Sequence, residues 1–198
     1  MKAGQGMLVL VVGPSGAGKD TLLDAARQTL GDDPRFRFVR REITRAPDAG
    51  GEDHLEVDFP FFATRRDAGA YALYWEAHGL GYGISADIAE DLAAGRIVIA
   101  SVSRTVIAAA AERFPVRVLE ITAPASVLAD RLRTRARETE AGIATRLARA
   151  VTLPEDVERV VILNDGTPEE GAARLVAALR AAAQAAPSTR TPRQVRAG

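Results

Sequence analysis

The chain has 198 residues, of which 47% are hydrophobic, and its 26 Lys and Arg residues balance its 26 Asp and Glu residues. That length suits one core domain, and zero net charge argues against a general binder of nucleic acid or of an anionic membrane. No apolar run approaches the roughly 18–20 residues of a membrane span, and the lack of cysteine excludes disulfides and thiolate sites. We therefore expect a globular protein of the cytoplasm.

Apolar runs alternate with amphipathic segments along the chain, a pattern typical of a parallel sheet covered by helices on both faces. The strands predicted from these runs are residues 7–12, 36–40, 97–101, 116–121 and 160–163. The helices predicted between and after them are residues 19–30, 85–94, 103–113, 124–137, 138–151 and 168–186. The sequence therefore predicts an α/β fold with a five-stranded parallel core sheet.

Residues 44–83 interrupt this alternation. They hold most of the Phe and Tyr residues, both histidines and the single tryptophan. We interpret this insertion as a substrate-binding subdomain, and a small packed hairpin region is the alternative. Residues 187–198 lack apolar periodicity and are expected to form a disordered tail.

A glycine-rich motif follows the first predicted strand and precedes the first predicted helix, which is the context that a phosphate-binding loop requires. The residues expected to hold ATP through backbone N–H groups are Gly13, Pro14, Ser15, Gly16, Ala17 and Gly18. Lys19 completes the pattern G-x-x-x-x-G-K, and its ammonium is expected to contact the β- and γ-phosphates. Lys19 is one of only two lysines, beside 24 arginines, and a compact ammonium fits such a loop better than a planar guanidinium.

The residue after the motif departs from the usual pattern. Asp20 stands where a Ser or Thr ligand of Mg²⁺ is expected, and Thr21 follows it. Asp20 would hold the ion through water, or Thr21 would take over the hydroxyl role. Both alternatives stay open at this point.

Further segments resemble the guanylate kinase fold over about residues 7–180. The segments that carry this resemblance are the loop at 13–19, TRAP at 44–47, Gly51-Glu52, Glu76, Tyr82-Gly83, 131–146 and Asn164-Asp165. Three segments are more specifically similar to the bacterial ribose 1,5-bisphosphate phosphokinase family, namely GPSGAGKDTLL at 13–23, RREITRAPDAGGEDH at 40–54 and YWEAHGLGYGIS at 74–85. This resemblance implies transfer of phosphate from ATP to ribose 1,5-bisphosphate, giving 5-phosphoribosyl 1-diphosphate, in the salvage of phosphorus from organic phosphonates.

Guanylate kinase itself is the nearest rival. A guanylate kinase carries a hydroxyl residue where this chain has Ile84, a serine where it has Arg41, and an Asp-x-Asp strand end that residues 99–103 lack. A purine edge needs matched donors and acceptors, whereas Arg41 beside Arg45 suits an acceptor with two phosphates. A catalytically inactive binding module is the alternative from another class, against which the intact Gly18-Lys19 speaks.

The resemblance also assigns roles to residues of the acceptor region. Arg41, Arg45 and Tyr82 are expected to bind acceptor phosphates, and Glu76 to bind ribose hydroxyls. His54 and His78 either shape the acceptor site or only fold its hairpins. Because the acceptor oxygen is already ionised near neutral pH, catalysis is expected to need no general base.

The remaining roles concern the lid and the nucleotide. Arg131, Arg135 and Arg146 are expected to belong to a lid that closes over the transferring phosphoryl group and stabilises its charge. Asn164 is expected to contact adenine, with a turn and helix cap as the alternative.

The resemblance divides residues 1–186 into parts of a single domain. The parts are a core at 7–35 and 96–130, an acceptor-binding region at 36–95, a lid at 131–150 and a C-terminal core at 151–186. The expected ligands are ATP, Mg²⁺ and a phosphorylated sugar, with no nucleic acid or membrane as a partner. A monomer and a homodimer both remain open.

Overall fold

Nine strands and six helices form the part of the chain that the computed structural model describes, which is residues 6–46, 53–134 and 157–185. The strands are β1 (Met7–Val12), β2 (Phe36–Phe38), β3 (Glu42–Ile43), β4 (Leu55–Glu56), β5 (Tyr71–Ala77), β6 (Leu80–Ser85), β7 (Ile97–Ser101), β8 (Val116–Thr122) and β9 (Glu158–Leu163). The helices are α1 (Lys19–Leu30), α2 (Phe59–Asp67), α3 (Ile88–Ala93), α4 (Ile107–Arg113), α5 (Ala125–Thr134) and α6 (Pro168–Gln184).

The longest apolar runs form the central sheet. Its strand order is β2-β7-β1-β8-β9, and all four neighbouring pairs run parallel. All six residues of β1 are buried, because this middle strand has a neighbour on each edge and helices over each face. The predicted five-stranded parallel sheet is confirmed.

Alternate residues of β1 belong to two separate hydrophobic cores. Val9 and Val11 pack into the core that includes buried residues of α1 and α6. Leu8 and Leu10 pack into the opposite core, to which α3 and α4 contribute Ile88 and Ile107. Helices therefore cover both faces of the sheet, as the alternation of the sequence predicts. No helix in the described part of the chain is long and apolar enough to span a membrane.

The insertion forms a second, four-stranded sheet in the order β4-β3-β6-β5. Its longest element is the β5–β6 hairpin, whose two-residue turn places His78 at φ 54° and Gly79 at φ 74°. Two positive φ angles in a two-residue loop match the twist of the flanking strands. Helix α2, which the sequence did not predict, packs against this sheet through Phe62.

Two of the predicted helices begin three or four residues later than the sequence indicates. Ser85 ends strand β6 and α3 begins only at Ile88, so a helix start at 85 is wrong because that residue still pairs with Tyr71 across the hairpin. The helix predicted at 103–113 opens with a 3₁₀ turn, where the Ser103 hydroxyl accepts a hydrogen bond from the Thr105 N–H. The predicted helix 138–151 lies outside the described residues.

Candidate active site

The phosphate loop curls between the carboxyl end of β1 and the start of α1. Gly18, the residue before the helix, has φ 85°, a left-handed conformation that residues other than glycine adopt at a cost. The Lys19 ammonium donates hydrogen bonds to the carbonyl oxygens of Gly13 at 2.9 Å and Pro14 at 3.1 Å. The ammonium of Lys19 therefore lies beside the first residues of the phosphate loop, where it could bind an anion held by that loop.

Asn164 holds this loop from the far end of the chain. Its side-chain amide, which follows β9 and is 4% exposed, donates a 2.8 Å hydrogen bond to the carbonyl oxygen of Ala17. A side chain at Gly18 would place its Cβ 2.6 Å from Nδ2 of Asn164, and one at Gly171 would place it 2.5 Å from Oδ1. The two glycines thus leave just enough room for the amide, and no pattern in the sequence indicates this contact.

The turn that carries Asn164 is fixed by an ion pair. Arg174 in α6 donates a hydrogen bond to Oδ1 of Asp165 at 3.0 Å and another to the carbonyl oxygen of Leu163. The hydrogen bond from the Arg174 guanidinium holds the pKa of the Asp165 carboxyl below its ordinary value. The exposed ion pair between Asp165 and Arg174 therefore joins the turn to α6.

One cavity lies beside the loop. This loop cavity of about 330 Å³ is lined by Gly16, Gly18, Thr21, Leu22, Arg131, Asn164 and Pro168. Among the described residues, NH1 of Arg131 and Oδ1 of Asn164 are buried without a hydrogen-bond partner. A volume at the lower end of the range for small-molecule pockets, with a spare donor and a spare acceptor, suits part of a nucleotide.

A second cavity lies on the other side of α1, at the ends of β2 and β7. This strand-end cavity is lined by Asp20, Leu23, Asp24, Arg27, Phe38, Val39, Arg41, Asp53, Ile99 and Ser101. The consecutive residues Asp20 and Thr21 therefore line different cavities. The strand-end cavity joins the start of α1 to Arg41, one of the predicted acceptor ligands.

Two aromatic rings support Arg41. Trp75 and Tyr82 are paired across the β5–β6 hairpin, and their rings stack with centroids 5.2 Å apart and an interplanar angle of 2°. The Arg41 guanidinium carbon lies 5.4 Å from the centre of the Tyr82 ring and 5.8 Å from that of the Trp75 ring. This contact favours the cation electrostatically and limits its rotation. The structure thus brings Arg41 and Tyr82 together, as the sequence predicts.

His54 organises the segment that carries Arg45. Its ring is 5% exposed, and Nε2 donates to the carbonyl oxygen of Arg45 at 3.0 Å. The neighbouring Thr44 hydroxyl accepts a 2.8 Å hydrogen bond from the Gly81 N–H, which attaches the same segment to the hairpin. His78, in contrast, lies exposed in the hairpin turn. Of the two histidines, His54 is the one placed against a predicted acceptor ligand.

Glu76 lies apart from the other acceptor residues. Successive side chains of a strand point to opposite faces, so Glu76 and Trp75 occupy different faces of β5. The Glu76 carboxylate is exposed and lies 3.5 Å from the Arg66 guanidinium in α2. The structure therefore does not bring Glu76 together with Arg41 and Tyr82.

Asp53 forms a bridge that the sequence did not indicate. Its Oδ2 lies 3.0 Å from NH1 of Arg27 in α1, and its Oδ1 lies 2.7 Å from NH2 of Arg40. The two arginines compensate the charge of this carboxylate at the rim of the strand-end cavity. Because Arg27 and Asp53 lie 26 residues apart, no local pattern could have revealed the pair.

The chain is similar to known proteins both in sequence and in structure. No family model matches the chain. The chain is 50% identical over 177 residues to ribose 1,5-bisphosphate phosphokinase PhnN of Methylobacterium radiotolerans, covering 89% of this chain and 98% of that protein. It is 52% identical over 174 residues to the Acidiphilium cryptum protein of the same name, covering 88% and 92%. The chain belongs to the ribose 1,5-bisphosphate phosphokinase family.

This family relationship extends to a fused protein and to a shared fold. The chain is 49% identical over 178 residues to the bifunctional ribose 1,5-bisphosphokinase-thymidine phosphorylase of Azorhizobium caulinodans, of which it spans 26%. Among solved structures, guanylate kinase from Anaplasma phagocytophilum matches with a TM-score of 0.64 at 20% identity, covering 91% of this chain and 88% of that one. The chain thus has the guanylate kinase-like fold that the sequence predicts.

A kinase of this family is expected to use Mg²⁺, and the described residues offer few groups that could hold it. They contain no group of three or more His, Asp or Glu side chains that could hold a metal ion. Mg²⁺ in kinases is usually held by one or two carboxylates together with substrate phosphates and water. The single carboxylate of Asp20, in the strand-end cavity, fits that arrangement, and the exposed Thr21 hydroxyl lies in the other cavity.

Several residues of this chain for which the sequence predicts a functional role lie outside the described residues. They are Pro47, Gly51 and Glu52 of the acceptor segment and Arg135 and Arg146 of the expected lid. Their roles stay predictions. Arg131, in α5, is the expected lid arginine that the structure describes, and it lines the loop cavity.

Proposed function

We propose that this chain transfers the γ-phosphate of ATP to the 1-phosphate of ribose 1,5-bisphosphate, forming ADP and 5-phosphoribosyl 1-diphosphate, within organic phosphonate catabolism. Relatives named ribose 1,5-bisphosphate phosphokinase, 50–52% identical to the chain, support this reaction. The observation that carries the proposal is the strand-end cavity, which joins Arg41 to Asp20 at the start of α1. An acceptor phosphate at Arg41 would lie beside this small cavity of about 30 Å³, which the helix of the phosphate loop also lines.

ATP would bind across the phosphate loop. The loop N–H groups and the start of α1 offer positive potential to its phosphates, and Lys19 would exchange its carbonyl partners for phosphate oxygens. The loop cavity, with the unpartnered NH1 of Arg131, is the proposed place for the rest of the nucleotide. Arg131 would also reach the phosphates from there.

The acceptor would be held by its phosphates. A guanidinium binds phosphate oxygens through two parallel hydrogen bonds, and the stacked Trp75 and Tyr82 rings keep Arg41 oriented for this task. The Tyr82 hydroxyl and Arg45 would add further donors. His54 would hold the backbone of Arg45 in place through the hydrogen bond to its carbonyl oxygen.

The transfer itself would rest on position and charge. The attacking phosphate oxygen is ionised near pH 7, because its second pKa is about 6, so no general base is required. Asp20 is the residue proposed to hold Mg²⁺, an ion that neutralises charge on the phosphates of bound ATP. Binding both ligands beside α1, which lines both cavities, would raise their effective concentration.

Guanylate kinase activity is the alternative within the same class. The position after Tyr82-Gly83, where a guanylate kinase bonds the base, is Ile84, and this side chain is fully buried in the hydrophobic core. A purine placed there would lose a hydrogen-bond partner, and such a loss costs orders of magnitude in discrimination. We therefore favour the sugar bisphosphate.

The test supplies the purified protein with ATP and Mg²⁺ and with either ribose 1,5-bisphosphate or GMP. We expect ADP and 5-phosphoribosyl 1-diphosphate to form in equal amounts with the sugar, and little ADP to form with GMP. Faster ADP formation with GMP would favour guanylate kinase, and none with either acceptor would favour a binding module.

Arg41→Lys examines the acceptor side of the proposal. Lysine keeps the charge but loses the planar fork and its stacking on Trp75 and Tyr82. We expect KM for the acceptor to rise at least about tenfold, the effect of one hydrogen bond between charged groups, while KM for ATP stays within about twofold. Arg159→Lys, an exposed arginine of β9, is the matched control and should change neither constant.

A further inference from the structure

Ser101 is a buried polar residue that the proposed reaction has not used. It ends strand β7 and is 7% exposed. Among the described residues, its hydroxyl oxygen is buried and has no hydrogen-bond partner. Buried hydroxyl groups nearly always have a partner, so an unpartnered one at the edge of a cavity indicates that a ligand or a water completes it.

The position of Ser101 directs its side chain toward the proposed reaction. Ser101 pairs with Val11 of β1, two residues before Gly13 of the phosphate loop. It shares a sheet face with Ile97 and Ile99, which pack in the core that contains α1. The hydroxyl therefore belongs to the strand-end cavity, together with Asp20 and Arg41.

The other polar groups of this cavity indicate which part of an acceptor it would bind. Asp20, Asp24 and Asp53 line it as well, and Arg27 and Arg40 compensate the charge of Asp53. Carboxylates accept hydrogen bonds from sugar hydroxyls, so they suit the sugar of an acceptor whose phosphate lies at Arg41. A serine hydroxyl both donates and accepts, so it matches a sugar hydroxyl completely.

We propose that the Ser101 hydroxyl binds a ribose hydroxyl of the phosphorylated sugar acceptor and thereby selects ribose over deoxyribose. This inference rests on the proposed function and adds a residue to its acceptor site. The sequence predicts that Glu76 binds the ribose hydroxyls, but Glu76 lies on the opposite face of β5 from Trp75 and pairs with Arg66. Ser101 would take over this role. Ser101 contacts the acceptor at the wall formed by the ends of β7 and β2.

The experiment compares three acceptors: ribose, 2-deoxyribose and 3-deoxyribose 1,5-bisphosphate. A site that bonds a substrate hydroxyl discriminates against the analogue that lacks it. We expect the unmodified protein to prefer ribose over one of the deoxy sugars by at least about fivefold to tenfold in kcat/KM, the effect of one hydrogen bond. Ser101→Ala should lower kcat/KM for ribose by that factor, leave that deoxy sugar unchanged and so abolish the preference.

Ser103→Ala is the matched control. It removes the same atom two residues away, but the Ser103 hydroxyl already accepts a hydrogen bond from the Thr105 hydroxyl at 2.9 Å. We expect this variant to keep the preference for ribose. Ser101→Ala should also keep its thermal unfolding temperature, because removing an unpartnered hydroxyl leaves no other group unpaired.

The outcomes separate this inference from the proposed function. Equal losses of kcat/KM for ribose and both deoxy sugars in Ser101→Ala, or no loss at all, would overturn the role of Ser101 while the reaction stands. A higher Mg²⁺ requirement with an unchanged preference for ribose would overturn it as well, since the hydroxyl would then serve the hydrated ion. No turnover of any sugar by the unmodified protein would overturn both proposals.

Discussion

Replacement of Asn164 distinguishes two roles that this residue could have in ATP binding. The sequence predicts a contact with adenine, whereas the structure gives the side-chain amide a hydrogen bond to the phosphate loop at Ala17. Asn164→Ala removes the amide and leaves the backbone of the turn unchanged. We expect this variant to weaken the binding of phosphates by the loop and to leave the recognition of the base unchanged.

The magnitude follows from the burial of this hydrogen bond. Its length is 2.8 Å and Asn164 is 4% exposed, so the Ala17 carbonyl group loses a buried donor. An unpaired buried group of this kind costs about 1–3 kcal/mol in the free energy of unfolding. Proteins of this size are stable by about 5–15 kcal/mol, so the variant should still fold.

The assay measures the binding of ATP, GTP and inorganic tripolyphosphate, which has no base. If about 1–2 kcal/mol of the lost energy appears in ligand binding, Kd for ATP and for tripolyphosphate should both rise about 5- to 30-fold. The ratio of the ATP and GTP affinities should stay constant. Glu169→Ala is the control, because it shortens an exposed side chain in the first turn of α6, close to Asn164 in the chain, at a cost of at most about 1 kcal/mol.

One result would refute this reasoning. If Asn164→Ala weakened ATP but left tripolyphosphate unchanged, and if the preference for ATP over GTP disappeared, Asn164 would act on the base. The hydrogen bond to Ala17 would then be incidental to nucleotide binding.

Three further predictions follow from the same structure. Lys19→Ala should lower kcat about 10²–10³-fold without changing the circular dichroism spectrum, and Lys2→Ala should leave kcat unchanged. Asp20→Asn should raise the Mg²⁺ concentration needed for half-maximal rate more than Thr21→Ala does; the reverse order would move the ion to the hydroxyl. Burial and then the Glu42 hydrogen bond raise the pKa of Tyr71 to about 12, and an unfolded tyrosine titrates near pH 10. The free energy of unfolding should therefore fall between pH 10 and 12, and Tyr71→Phe should lack this component while Tyr74→Phe keeps it.

The core of the fold was predictable because its signals are local. β1, the loop and α1 form one contiguous segment, and the observed bounds Met7–Val12 and Lys19–Leu30 are those predicted. Hydrophobic runs and helix periodicity determine such elements within about a dozen residues. Helix α2 was missed because its apolar residues cluster at one end, around Phe62, instead of following a helical period.

The acceptor roles of the predicted residues stay a prediction, and the arrangement of these residues could not be predicted from the sequence. The pairing of Trp75 with Tyr82 and the position of Arg41 over both rings depend on the register of a hairpin. That register also decides that Glu76 lies on the face of α2. Alternation along a strand says which residues share a face, but it does not say which face meets the cavity.

The sequence by itself determined that a buried strand, a phosphate loop and a helix follow one another, and it placed Lys19 among arginines at the one position that needs an ammonium. Only the tertiary structure decided that Asn164 contacts Ala17 across 147 residues, and that the buried Ser101 hydroxyl, which has no hydrogen-bond partner among the described residues, lines the same cavity as Arg41. The physical reason is that hydrophobic periodicity acts between near neighbours. The environment of a buried polar group is formed by whichever distant segments pack around it.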